Sequence, residues 1–181
     1  MLVTRAAAHL SRRAQAWLTF DFRQSMKLQT PAVGAIFTIP LVDGSRAIGQ
    51  IVGREPQVLN SWTCAFSRLR LGKEEVAEPK DALLPEDVIS VQFVTGDLLK
   101  KGRWKIHAHA PVRLPKSDFP HEECRANGWI GAKIIGSGII ESFLAAFYGL
   151  GYWDEMKDPE YYDHLLLLRI SRPDEIKRKT A

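Results

Sequence analysis

The chain is poor in cysteine. Only Cys64 and Cys124 occur among 181 residues, and neither belongs to a CxxC pair. That excludes a disulfide framework and suits a reducing compartment, with a single Cys64–Cys124 bridge left open. No apolar run approaches the roughly 20 residues of a membrane-spanning helix, so no membrane partner is expected. A secretory signal is lacking as well. The best apolar stretch near the start, residues 14–20, is short and interrupted by Gln15 and Thr19. Internal repeats and low-complexity segments are absent. So are paired-carboxylate, catalytic-triad and nucleotide-binding patterns, and a G-x-G-x-x-G or P-loop motif. These absences point away from an enzyme, a small-molecule substrate or a cofactor, and toward a binding protein.

What is present is an ordinary globular composition, 45% hydrophobic and 25% charged. One domain of this length buries a sizeable core without metal or disulfides. The formal charge is +4, and its distribution matters more than its value. Residues 1–27 carry Arg5, Arg12, Arg13, Arg23 and Lys27 against Asp21 alone, which leaves the remainder balanced. The body therefore shows no bias toward nucleic acid, and no direct nucleic-acid contact is expected. The basic stretch has the composition of a transit peptide. It also reads as an amphipathic helix, with Val3, Ala7, Leu10, Ala14 and Trp17 on one face, or as an extension ahead of a start at Met26. A helical extension over 1–27 is the reading favoured here, followed by a single domain over 28–170 and a charged, frayed tail over 171–181.

Within the domain, two β-like runs flank Asp43-Gly44, a dipeptide that favours reversal. They cover residues 35–41 and 46–53. Pro40 constrains the hairpin, because it cannot donate to a ladder. A two-residue loop would place it in a hydrogen-bonded pair facing Ala47, so the reading is a four-residue loop, a bulge or an edge position. Further strands are predicted over 58–71, as one strand or a pair, over 88–94, over 103–110 and over 129–136. Residues 72–85 and 111–127 read as loops. A helical turn follows Thr95-Gly96-Asp97, a helix spans 139–148, and Asp158-Pro159 starts a second short helix carrying Tyr161, Tyr162, Leu165 and Leu166. The expected architecture is α+β. It rests mainly on an antiparallel β-sheet, open or barrel-like, with C-terminal helices and the N-terminal helical extension.

Several residue groups bear chemistry. Strand alternation over 103–110 puts Trp104, Ile106, Ala108 and Ala110 on one face and both His107 and His109 on the other. Two such histidines can begin a zinc site, completed by Cys64, His121 or Cys124, although Arg103 and Lys105 on the same side oppose a cation. His121-Glu122-Glu123-Cys124 opens like a zincin motif without its second histidine. A small metal-binding or hydrolytic enzyme using His107, His109, His121 and Cys124 is thus the alternative to a binding protein. Lys100-Lys101-Gly102-Arg103 reads as a solvated turn. Tyr152, Trp153, Asp154, Glu155 and Asp158 combine aromatics with acids, which is good material for an interface with a basic protein.

Three blocks also carry a family resemblance. They are Gly34-x-Ile36-Phe37-x-Ile39-Pro40-Leu41-x-Asp43-Gly44 with Gly49-Gln50-Ile51-Val52, then residues 98–105, then Trp153-Asp154 with Asp158-Pro159-Glu160-Tyr161 and Asp163. In order and spacing they resemble the immunity protein 26 family of bacterial polymorphic toxin systems. The resemblance spans residues 34–168 and leaves the first 26 outside. It implies a cytoplasmic, non-enzymatic protein whose partner is a cognate toxin domain that it binds and neutralises. It carries over no catalytic residue, no metal and no cofactor.

Overall fold

The computed structural model describes residues 29–179 apart from 76, 79–82 and 120. The predicted helical extension over 1–27 lies outside the described residues. Six strands form one sheet in the order β5-β1-β2-β3-β4-β6. They are β1 (Ala35–Pro40), β2 (Arg46–Glu55), β3 (Ser61–Leu71), β4 (Val88–Val94), β5 (Lys105–His109) and β6 (Ile134–Ile135). Every pairing is antiparallel except β4 with β6, which is parallel. The sheet is therefore mixed. It ends at β5 and β6 without joining them, so the barrel-like option is overturned. Among the described residues three short helices accompany it: α1 (Asp97–Lys100), α2 (His121–Ala126) and α3 (Ser137–Phe147). The sheet-dominated α+β class stands. α2 falls in a stretch the sequence reads as loop, and only two residues of the predicted strand over 129–136 pair.

The β1–β2 hairpin settles the Pro40 problem with a loop of neither expected length. Gly44 N–H donates to the Leu41 carbonyl and Leu41 N–H to the Ser45 carbonyl, at 3.1 and 2.9 Å. Residues 42–44 therefore form a three-residue turn, closed by Gly44 at φ +85°. Pro40 then faces Arg46 in the next pair, the one without ladder bonds. Its missing N–H costs β2 nothing. Asp43 fastens the turn by accepting from the Ser45 amide and hydroxyl. The hydroxyl is the main reason its carboxyl sits below the ordinary value.

Both faces of the sheet are covered. One carries Phe37, Ile39, Ala47, Ile51, Cys64 and Phe66 against Ile140, Phe143 and Leu144 of α3, with Trp153, Tyr162 and Leu165 completing that core. The other carries Ile36, Ile48, Val52, Ala65 and Val91 beneath Leu83, Leu114, Phe119 and Leu167. Residues Ser137, Ile140, Phe143 and Leu144 lie on the buried side of α3, the spacing of an amphipathic helix. After Tyr148 the chain turns at Gly149, whose N–H donates to Ala146, while Leu150 N–H donates to Ala145. That pair of bonds is a Schellman stop.

The predicted helix from Asp158 does not form. Turns lead instead to a single 3-10 turn, Asp163–Leu165. Beyond it the backbone is drawn onto β4. Ser90 and Gln92 side chains both donate to the Leu165 carbonyl, and Leu167 N–H donates to Ile89. The Leu167 amide satisfies one carbonyl of the β4 edge that β6 leaves unpaired, the two side chains satisfy the Leu165 carbonyl, and a continuing helix would forfeit all three bonds.

At the centre of the first face, Phe37 lies across Gly49, its cross-strand partner. A Cβ on Gly49 would come within 2.4 Å of the ring. Gly49→Ala is expected to lower stability by about 1–3 kcal/mol through overpacking. A urea unfolding midpoint that drops while its slope is unchanged would register this.

Candidate partner-binding surface

The chain leaves α3 through Gly149 and enters residues 152–158, where sequence pattern placed the interface. Trp153 is corrected at once. It is only 1% exposed, tilted against Phe143 at 6.2 Å and edge-on to Tyr162 at 5.8 Å between centroids. Its indole N–H donates to Asp163 Oδ2 at 3.2 Å. A ring so enclosed belongs to the core, not to a contact surface.

Burial of Trp153 turns its neighbours outward. Tyr152 is 45% exposed. Asp154 and Glu155 follow it, and both are engaged by the end of the chain. Lys179 N–H donates to Asp154 Oδ1 at 2.7 Å, and its ammonium donates to Glu155 Oε1 at 2.9 Å. The same ammonium stands 5.9 Å from the Tyr152 ring centroid. Trp153 N–H donates to the Lys177 carbonyl at 2.8 Å, and Tyr152 forms a parallel bridge with Lys177. The Glu155 hydrogen bond, with the nearby acids behind it, holds the Lys179 ammonium above its ordinary value. The tail expected to fray is thus laid down as far as residue 179, with Ile176 packed on the main core.

Asp158 has a more local task. Its Oδ1 accepts the Glu160 amide at 3.0 Å, and its Oδ2 stands 3.9 Å from His164. The structure therefore brings together Tyr152, Asp154 and Glu155, and sets Asp158 into its own turn. Pattern reading missed Lys177 and Lys179. Their signal was present as two lysines two residues apart, able to meet acids on a neighbouring strand.

The histidine and cysteine group is not assembled as strand alternation predicts. β1 pairs Ile36 with Ala108 and Phe37 with Ile106, which leaves His107 as the extra residue of a bulge. His107 shares a 2.8 Å hydrogen bond with Thr38, while His109 pairs with Ala35. Thr38 and Ala35 alternate to opposite faces of β1, so the two imidazoles do not share one. Ile106 and Ala108 are split in the same way, one toward each core. Cys64 is fully buried in β3, and burial alone pushes its thiol far up. Cys124 is free in α2, as is Cys64, so no bridge joins them. The His121 side chain lies outside the described residues. Among the described residues no group of three or more His, Cys, Asp or Glu side chains is placed to hold a metal ion. No helix among them is long and apolar enough to cross a membrane.

The basic turn is also accounted for. Arg103 forms a two-pronged pair with Glu141, at 2.7 and 2.9 Å, and Trp104 donates to the same carboxylate at 3.0 Å. A groove of about 580 Å³ lies over β4, lined by Gln92, Asp118, His164, Leu166 and Arg169 among others. Its polar groups serve the fold. Asp118 is 7% exposed and takes both prongs of Arg169, which also donates to the Pro85 carbonyl. Comparison with protein-family models, curated proteins and solved structures found no match.

His107 carries a pH dependence. Burial first, then Lys105 and Arg46, hold its imidazole below the ordinary 6.5. Above that value both folded and unfolded states hold a neutral ring. As pH falls from about 7 to about 5.5 the unfolded chain takes up the proton first, so stability drops. Paired unfolding curves of the native chain and His107→Gln should diverge in that window, with the native chain losing more. Parallel curves would remove His107 from the account.

Proposed function

We propose that this chain is a non-enzymatic immunity-type protein that binds a bacterial toxin domain in the cytoplasm and neutralises it by covering its working surface. The observation that carries the reading is the surface made by Tyr152, Asp154 and Glu155. It already holds the lysine-bearing segment 177–179 through one backbone bond and two charge-assisted contacts. Carboxylates so disposed, beside an exposed aromatic, suit a basic protein face. Toxin domains that act on nucleic acids present such faces.

The resemblance blocks lend further support. Phe37 of the first block stacks on Trp104 of the second at 5.4 Å with the rings 4° from parallel. Trp153 of the third joins the same core. The aromatic residues of the three blocks are thus mutually packed scaffold, which holds Asp154 of the third block and its neighbour Glu155 toward the surface.

The test is to seek a toxin-domain gene directly upstream and to co-express that domain with this chain, read as viability. The native chain should rescue growth. Asp154→Lys with Glu155→Lys should weaken toxin binding by about 10- to 100-fold and abolish rescue, since like charges would then face each other. Circular dichroism must show the double variant folded. Full rescue by a folded double variant would discard this surface.

A further inference from the structure

We infer that residues 176–179 are a built-in occupant of the partner site, displaced when an extended basic segment of the partner takes the same place. The inference rests on the binding role given above and adds the shape of what is bound. The tail engages three kinds of group at once. Its backbone pairs with Tyr152 and Trp153, Ile176 rests on the apolar core, and Lys179 meets Asp154, Glu155 and the Tyr152 ring. That is the recognition mode of an added β-strand, where main-chain bonds hold the segment and alternate side chains read it.

The hold is light enough to yield. Among the described residues the tail makes a single bridge pair, Tyr152 with Lys177. The Lys179–Glu155 pair is exposed on both sides, at 48% and 43%, where ion pairs contribute little. Room lies alongside. A groove of about 560 Å³ runs between the end of α3 and the tail, lined by Phe147, Tyr148, Gly149, Glu175, Ile176 and Lys177. An incoming segment with an apolar residue followed three positions later by lysine, as Ile176 is by Lys179, would reproduce each contact. It would compete with a tethered rival whose local concentration is in the millimolar range, so the tail raises the threshold for binding.

The probe is a labelled synthetic peptide of residues 173–179, Pro-Asp-Glu-Ile-Lys-Arg-Lys, titrated by fluorescence anisotropy into full-length protein. The comparison is between the native chain and the Ile176→Ser, Lys179→Glu chain, whose own tail is released. The released chain should bind the peptide at least about tenfold more tightly than the native chain. Adding Asp154→Lys should remove that gain. Equal affinity of native and released chains, or binding that survives Asp154→Lys, overturns the inference. If the double variant does not fold, Lys179→Glu alone alters only exposed groups and must show a smaller gain. Hydrogen exchange on the unaltered chain gives an independent reading, because the Lys179 amide should lose protection as peptide is added. No toxin enters these measurements. Peptide binding without toxin rescue would sink the immunity reading alone, and rescue without peptide competition would sink the tail alone.

Discussion

The fold depends on one close approach, the end of the Phe37 ring against Gly49. Only a residue without a side chain leaves that space, since any Cβ would collide with the ring. Once there, Phe37 can stack on Trp104 and meet Phe66 edge-on at 6.4 Å, while Phe66 meets Trp104 edge-on at 6.1 Å. Three strands and the turn before β5 are thereby locked around one aromatic trio. Trp104 is fully buried, yet its indole N–H is satisfied by Glu141 on α3. The trio therefore also fixes where the helix lies. Rings of this size contribute more than their area alone when they meet in stacked or edge-on geometry.

Polar side chains complete what the rings begin, each joining segments distant in sequence. Gln29 donates to the carbonyls of Leu99 and Trp104 and accepts the Ile106 amide, which secures the start of edge strand β5. Gln50, fully buried, donates to Ala110 at the other end of that strand. Asp97 accepts the hydroxyls of Thr95 and Ser137, so the start of α1 and the start of α3 share one carboxylate. The Thr95 hydroxyl is the chief reason that carboxyl lies below its ordinary value. Gln50 Oε1 has no hydrogen-bond partner among the described residues, so these side chains act as separate ties, each holding two distant segments in one arrangement.

Local features of this kind divide what could be read in advance from what could not. The strand over 88–94 was legible to the residue, because its largely apolar composition, broken only by Ser90 and Gln92, is a local property of a strand covered on both faces. The α3 helix was legible over 139–148 from the glycines that end it, and it starts two residues earlier, at Ser137. The positions of Phe37, Gly49 and Trp104 were legible as members of strands and core, though not as a contact. The bulge at His107 was not legible, since it exists to bring Ile106 and Ala108 to opposite cores, and only the second core demands it. The Asp158 helix failed for a related reason. Its capping residues were sound, and Asp158 does cap a turn, yet the unpaired β4 edge competes for the same backbone and wins. Tertiary hydrogen bonds outweighed local propensity there, as they commonly do for short helices.

The candidate surface follows the same logic in electrostatic form. Summed charge describes the body as neutral, which argues against nucleic acid, while the acids near Tyr152 mark a local surface suited to a basic partner. Neutrality here is partly cancellation in place, with Asp154 and Glu155 facing Lys179 across a few ångströms. Removing that tail from the surface would leave two carboxylates beside Tyr152 with no cation opposite from this segment. Trp153, buried beneath, holds the backbone that presents them, so the display is rigid while its cover is attached by few bonds. A rigid acidic display under a light basic cover separates affinity from availability. For the proposed partner, affinity would be set by residues 152–155, anchored to the core by Trp153, and availability by how readily residues 176–179 give way.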